Sequence, residues 1–384
     1  MHYDPFDPAT IEDPFPAYRA LRDEAPAYRT EHGFWVISRY DDVVRVARDH
    51  ERFSSTAGVG PEWRPVPMMI SVDPPDHTRL RRLVQREFTP RAIAGWDERV
   101  VGIIDDTLDG FLATGGGDLA AGVAHPIPIA VIADMLDVPT DRRADFKRWS
   151  DDTIDALGAG LDAEASMRVE ISIIEFAQYF AGVIAERRLA PGKDLLSLLV
   201  DPANGETLSD GDLVSFAILL LVAGNETTTN LIGNMVHALA TNPDQGTRLQ
   251  RDPSLIPAAV EEALRFDSPI QGFFRNTVVD VEVHGVTIPA DEKVMVLFGA
   301  ANRDERKYPE PDRFLVDRGP MDHVAFGAGI HLCLGAPLAR LEGTRFLERL
   351  VERVDRIELA GPIERTANPL LRGVHRLPVT LTPR

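Results

Sequence analysis

The chain has 384 residues, 44% of them apolar and 26% charged, a globular composition that excludes a disordered, collagen-like or disulfide-scaffold protein. Asp and Glu number 60 against 41 Lys and Arg, and the resulting charge of −19 has the wrong sign for wrapping nucleic acid through the overall field. One cysteine, Cys333, excludes an intrachain disulfide and any cysteine-rich zinc or iron–sulfur site.

Low thiol use fits a reducing cytoplasm. No segment approaches the ~20 apolar residues of a membrane-spanning helix, and the longest apolar run is residues 216–223. Met1-His2-Tyr3-Asp4-Pro5 lacks the basic and apolar regions of a secretory leader. A cytoplasmic protein without a membrane anchor is expected.

Apolar residues at spacings of three and four predict helices over residues 14–24, 41–50, 92–112 and 163–188. The longest predicted helix covers 209–240, with Ser209 as N-cap and Asp212 three positions on. At 1.5 Å per residue it would be roughly 45 Å long, enough to cross a whole domain. Gly224 is expected to interrupt it midway. Val281 and Val283, then His284-Gly285, then Val286 and Ile288 read as a hairpin. Val294, Val296 and Phe298 alternate, as do Leu377, Val379 and Leu381. Between them, Ala336-Pro337 opens an amphipathic helix carrying Leu338, Leu341, Phe346, Leu350 and Val354 on one side. No stretch is composed like an interdomain linker. The expected class is mainly α with a small β region (α+β).

The only thiol lies in Phe326-Gly327-Ala328-Gly329-Ile330-His331-Leu332-Cys333-Leu334-Gly335. Its glycines allow tight turns and close backbone approach. The helix N-terminus that follows favours an anion and lowers a thiol pKa. Such a thiolate is a nucleophile or a metal ligand; the plainer reading of a lone cysteine is a small buried hydrophobe. Three other clusters stand out. Glu262 and Arg265 share a helix face. Ala223-Gly224-Asn225-Glu226-Thr227-Thr228 puts polar residues after an apolar run, as an exposed stretch or a Thr-induced kink would. His77 and Arg81 lie one helical turn apart, two cationic donors suited to two carboxylates or a solvated basic face. From His77 to Arg91 there are five arginines (Arg79, Arg81, Arg82, Arg86, Arg91) and one acid, Glu87.

The cysteine loop matches every fixed position of Phe-Gly-x-Gly-x-His/Arg-x-Cys-x-Gly, and so resembles the haem-binding signature of the cytochrome P450 family. The resemblance runs along nearly the whole chain, including Asp4-Pro5-Phe6-Asp7-Pro8 and residues 34–40. It implies one haem domain over residues 1–384, with haem buried between long helices. Cys333 would be the axial ligand of the iron, and His77, Arg81, Arg275 and His331 would face the haem propionates. Glu226 and Thr227 would be the acid–alcohol pair that delivers protons to dioxygen, with Thr228 the weaker candidate. Glu262 and Arg265 would join Arg313, from Pro311-Asp312-Arg313-Phe314, in a structural triad. Ala301-Asn302-Arg303-Asp304 would also be structural.

The resemblance further implies haem b as cofactor, dioxygen as co-substrate and NAD(P)H acting through a reductase. The arginines between His77 and Arg91 would dock an acidic ferredoxin. The substrate would be a lipophilic small molecule such as a terpenoid, steroid, polyketide or aromatic compound. It would be lined by residues 66–70, the region near 157–161, 219–223, 270–274 and 369–371, with Met68, Met69, Ile70, Phe273, Leu370 and Leu371 prominent. Asn225 and Gln271 would orient a polar group or face solvent. The expected activity is that of a haem-thiolate monooxygenase. Peroxygenase, desaturase and coupling activities share the scaffold, as would a non-catalytic haem-binding sensor or recruitment protein. Glu226 and Thr227 together favour dioxygen activation.

Overall fold

Ser209 opens the longest helix with a reciprocal cap. Its Oγ accepts from the Asp212 N–H at 3.1 Å, and the Asp212 carboxylate accepts from the Ser209 N–H at 3.3 Å. The helix, Asp210–Thr241, runs 32 residues, about 48 Å. Gly224 does not interrupt it. A Cβ there would lie 2.7 Å from Ile132 Cδ1, so the glycine instead admits the Pro126–Met135 helix against the long one. The computed structural model describes residues 2–62, 68–155, 162–201, 206–319 and 321–384.

Leu213, Leu231, Ile232 and Met235 of the long helix enter the main core, which the Asp97–Leu112, Pro126–Met135, Ala163–Leu189 and Ala336–Arg353 helices share. The helix expected over 92–112 is divided into Pro90–Ile93, a 3-10 turn at Ala94–Trp96 and Asp97–Leu112. Gly95 falls at the break, and Asp97 and Glu98 restart the helix with the charges its N-terminus favours. No helix among the described residues is long and apolar enough to cross a membrane.

The largest sheet orders its strands Ala27–Arg29, Trp35–Ile37, Lys293–Val296, Phe273–Thr277 and Phe53–Ser54. Trp35–Ile37 and Lys293–Val296 pair in parallel, and the other pairs are antiparallel. The predicted hairpin is present, turned by His284 and Gly285 at φ 51° and 76°. Lys293–Val296 is buried on both faces, and Phe298 begins a short helix rather than extending the strand. Pro378–Pro383 pairs between Gly116–Asp118 and Val354–Leu359. The fold is mainly α with a small β region.

Glu262 and Arg265 are fully buried. Arg265 Nε and Nη2 donate to the two Glu262 oxygens at 2.7 and 2.9 Å. Its Nη1 donates to the carbonyls of Asn302 and Pro311 at 2.8 and 2.9 Å. The third member of this group is Arg318, not Arg313. Arg318 Nε reaches both Glu262 oxygens, at 3.1 and 3.0 Å. Arg313 turns its carbonyl inward to Arg265, which sends its side chain outward to Glu310 at 2.6 Å. Arg303 is sandwiched between the rings of Phe15 and Phe266, 4.0 and 3.8 Å from their centres. Without Arg318, Glu262 keeps Arg265 but loses a second charged donor. Arg318→Ala is therefore expected to lower stability in denaturant unfolding by about 1.5–3 kcal/mol. Arg313→Ala, at an exposed side chain, is expected to leave the unfolding midpoint nearly unchanged. Equal losses would return Arg313 to the triad.

Candidate active site

The cysteine loop is laid flat against the Tyr40–Arg48 helix. Gly329, at φ +73°, makes this possible: a Cβ there would sit 2.5 Å from the Ala47 carbonyl oxygen. Leu332 N–H closes the Gly329–His331 turn on the Gly329 carbonyl at 3.1 Å, and Cys333 N–H donates to the Phe326 carbonyl at 2.9 Å. Gly335 caps the Ala336–Arg353 helix, with Pro337 in its first turn. The N–H groups of Gly335 and Ala336, at the start of that helix, lie near enough to the Cys333 sulfur to favour its charged form. Cys333 is surrounded by protein yet keeps accessible surface. Burial pushes the thiol above its ordinary pKa, against the pull of those two N–H groups, Arg81 and Arg340. The helix dipole alone would have lowered it; desolvation wins. The neighbouring N–H groups and arginines suit a sulfur whose charge is balanced by a metal.

His77 and His331 meet edge to face, ring centres 4.5 Å apart. The Nε2 atoms of both are buried without a hydrogen-bond partner among the described residues. Burial and the charges of Arg275, His77 and Arg81 push His331 down to about 2. Burial and then Arg81 lower His77. Arg275 extends from the Phe273–Thr277 strand into the same region; burial pushes it down to about 10, and its Nη1 donates only to the Phe274 carbonyl, at 2.8 Å. Arg81, one turn beyond His77, has no ion pair among the described residues. Asp73, the nearby acid, is turned to Ser54 Oγ at 2.5 Å and Ser55 N–H at 3.2 Å. Four donors from three elements thus converge with no carboxylate among them. Orphaned buried donors are costly, and a group bringing two carboxylates satisfies them. Haem, with two propionates and an iron that takes a thiolate, fits these residues.

The long helix contributes a further accessible strip. Midway along it Ala223 is exposed and Leu219 and Thr227 are half-buried, one turn apart on one face. Thr227 Oγ1 donates to the Ala223 carbonyl at 2.7 Å. Glu226 and Thr228 are buried. Asn225 does not face solvent; it is buried and its Nδ2 donates to Ser150 Oγ at 2.8 Å. Gln271 is likewise internal, accepting from Tyr18 Oη at 2.9 Å and donating to the Ser268 carbonyl at 2.7 Å.

The proposed lining segments separate on inspection. Met68, Met69, Ile70 and Phe273 keep accessible surface. Leu370 is buried with Tyr3, Tyr18 and Phe34 in the N-terminal cluster. Leu371 is also buried. Residues 66, 67 and 157–161 lie outside the described residues.

The basic patch is less open than its sequence reads. Arg82 pairs with Glu206 at 2.7 Å, Arg79 with Asp212 at 3.4 Å and Arg86 with Glu87 at 3.0 Å. Arg91 is exposed and without an ion pair among the described residues. Two residues were missed by sequence reasoning: Arg318, and Glu342 on the Ala336–Arg353 helix. Glu342 falls between Leu338 and Phe346 on the buried stripe, and a charge on an apolar face was the available signal.

A sulfur at a helix N-terminus, with two arginines and two buried imidazoles gathered beside it, fits a haem-thiolate protein. A family model described as "Cytochrome P450" matches residues 173–361. Cytochrome P450 107B1 of Saccharopolyspora erythraea is 41% identical, covering 97% of this chain and 96% of its own length. The vitamin D(3) 25-hydroxylase of Pseudonocardia autotrophica is 42% identical over 100% and 97%. The solved structure of cytochrome P450 CYP109Q5 from Chondromyces apiculatus matches with a TM-score of 0.91 at 40% identity, covering 100% of this chain and 99% of that one. The chain belongs to the cytochrome P450 family. It is a haem-thiolate monooxygenase, using dioxygen and electrons supplied by a reductase.

Glu342 makes the electrostatics of the loop's helix testable. Burial pushes its carboxyl from 4.5 to about 8. Between those values the native state holds a proton that the unfolded chain has lost, so this group's contribution falls as pH rises and is flat above about 8. Glu342→Gln is expected to be more stable than the parent at pH about 8.5 by on the order of 3–5 kcal/mol, with the gap closing toward pH 5. Denaturant unfolding of both holoproteins at the two pH values checks this. A gap independent of pH would show that Glu342 ionises normally.

Proposed function

We propose that residues 1–384 form one haem b domain that hydroxylates or otherwise oxidises a lipophilic small molecule, with electrons from a separate ferredoxin and its NAD(P)H-dependent reductase. The observation that carries this reading is the pairing, on one turn of the long helix, of buried Glu226 with accessible Thr227. Cys333 is the proposed iron ligand, and His77, Arg81, Arg275 and His331 the proposed propionate partners. Bound there, haem supplies the iron at which dioxygen is reduced and cleaved, and a thiolate ligand promotes that cleavage.

The protein's own part is to hold the sulfur and move protons. The Gly335 and Ala336 N–H groups and the charges of Arg81 and Arg340 favour the thiolate. Arg340 is itself anchored by Glu261, at 2.7 and 2.9 Å. Thr227 keeps its proton on the Ala223 carbonyl, which leaves its oxygen lone pairs free to accept on the accessible side. To donate, the hydroxyl rotates away from that carbonyl. Glu226, the adjacent carboxyl, is the proposed source that reprotonates it.

Leu219, Ala223, Met69 and Phe273 offer apolar accessible surface, which suits a lipophilic substrate. A relative named for hydroxylating vitamin D(3) supports the same class. For the ferredoxin, the support is narrower than five free arginines: Arg91 has no ion pair among the described residues, and Arg79, Arg82 and Arg86 are partly neutralised. A cytoplasmic location accords with a chain whose only thiol has a ligand's place.

The test is Thr227→Ala, assayed with a surrogate ferredoxin and reductase under dioxygen. NAD(P)H consumption should persist while product formed per NAD(P)H falls about tenfold or more and hydrogen peroxide accumulates. Normal product yield without extra peroxide would remove Thr227 from the relay.

A further inference from the structure

The Ala163–Leu189 helix is apolar on two opposite sides. Its inner side sends Phe176, Phe180 and Ile184 into the main core. On its outer side Met167, Ile171 and Ile174 are 62%, 46% and 48% exposed. Five of the ten large apolar side chains exposed among the described residues lie on this one helix, so the exposure is concentrated rather than scattered. With Gln178, Ala181 and Ala185, also exposed, the three continue at alternating intervals of four and three residues. That is the a/d repeat by which one helix seats against another.

Charge identifies the occupant. In an antiparallel pair of these helices, Ile171 faces Ile174 of the other copy, twice by symmetry, and Met167 faces Gln178. The same register brings Arg168 beside Glu175 of the other copy, again twice; within its own chain Glu175 takes Arg148 at 2.6 Å and Trp149 at 3.1 Å on Oε2, so Oε1 is the oxygen that faces the incoming Arg168, itself only 3.9 Å from Glu164. Glu170 then lies beside Ala177, so no like charges meet. A parallel pair would instead set Glu170 beside Glu175, which repel. The surface is therefore complementary to itself in one orientation, as a two-fold interface requires.

We propose that the Ala163–Leu189 helix docks antiparallel onto its counterpart in a second copy of the chain, forming a two-fold dimer. A single helix pair buries less than the ~800 Å² per partner of a standard stable interface. The charge of −19 on each copy also opposes association until salt screens it. The dimer is consequently weak, with a dissociation constant on the order of micromolar.

Sedimentation velocity on the holoprotein up to about 200 µM, in about 150 mM salt, is expected to show a concentration-dependent dimer. Ile171→Lys, at an exposed position, should raise the dissociation constant at least about tenfold without changing haem content. Register is read by disulfide trapping with diamide, which is clean because Cys333 is the only native thiol. Met167→Cys mixed with Gln178→Cys should cross-link. Neither should do so alone, since like positions lie about 16 Å apart in the antiparallel pair. A chain that stays monomeric over this range overturns the proposal, as does a monomer that instead binds lipid vesicles through this face. Self-cross-linking of Met167→Cys would show a parallel pair and overturn it equally.

Discussion

Arg265 is completely buried, and its charge is tolerated because Glu262 and the carbonyls of Asn302, Pro311 and Arg313 surround it. Satisfying that one guanidinium dictates the course of the chain from residue 302 to 318. Arg318 then returns to Glu262 and closes the group. Asn302 accepts from the Val324 N–H at 2.8 Å, two residues before Phe326, where the cysteine loop begins. The position of the sulfur is in this way tied to a buried ion pair on another helix.

The site draws its donors from elements far apart in sequence. His77 and Arg81 come from a helix, Arg275 from a strand, and His331 from the cysteine loop. Only the assembled fold brings them together, and the assembly leaves two imidazole nitrogens without partners among the described residues. Two desolvated arginines and these two nitrogens carry a cost that a ligand with two carboxylates removes. Cys333 fits the same ligand: the Gly335 and Ala336 N–H groups, Arg81 and Arg340 all favour its charged form, which a metal would stabilise.

Much of this was legible from residues. The long helix announced its start through Ser209 and Asp212, because a capping box is a local device needing no tertiary context. The hairpin at His284-Gly285 was legible for the same reason. The cysteine loop was legible because Gly329 answers to a close backbone approach. What failed was set by distant partners. Gly224 read as a break, but its role is fixed by Ile132. Arg313 held the expected motif position, yet the inward turn of its own carbonyl expelled its side chain. The arginines after His77 read as a free basic face because Glu206 and Asp212, which quench two of them, lie more than 120 residues away. Gln271 and Leu370 belong to the N-terminal packing around Tyr18, which no local pattern discloses.

The central claim is that Cys333 ligates haem iron as a thiolate. It is tested most directly by the absorption spectrum of the dithionite-reduced holoprotein under carbon monoxide, beside a Cys333→Ala control. The expected result is a strongly red-shifted Soret band that disappears in the control. Haem bound without that band, or a band that survives in Cys333→Ala, would contradict the assignment.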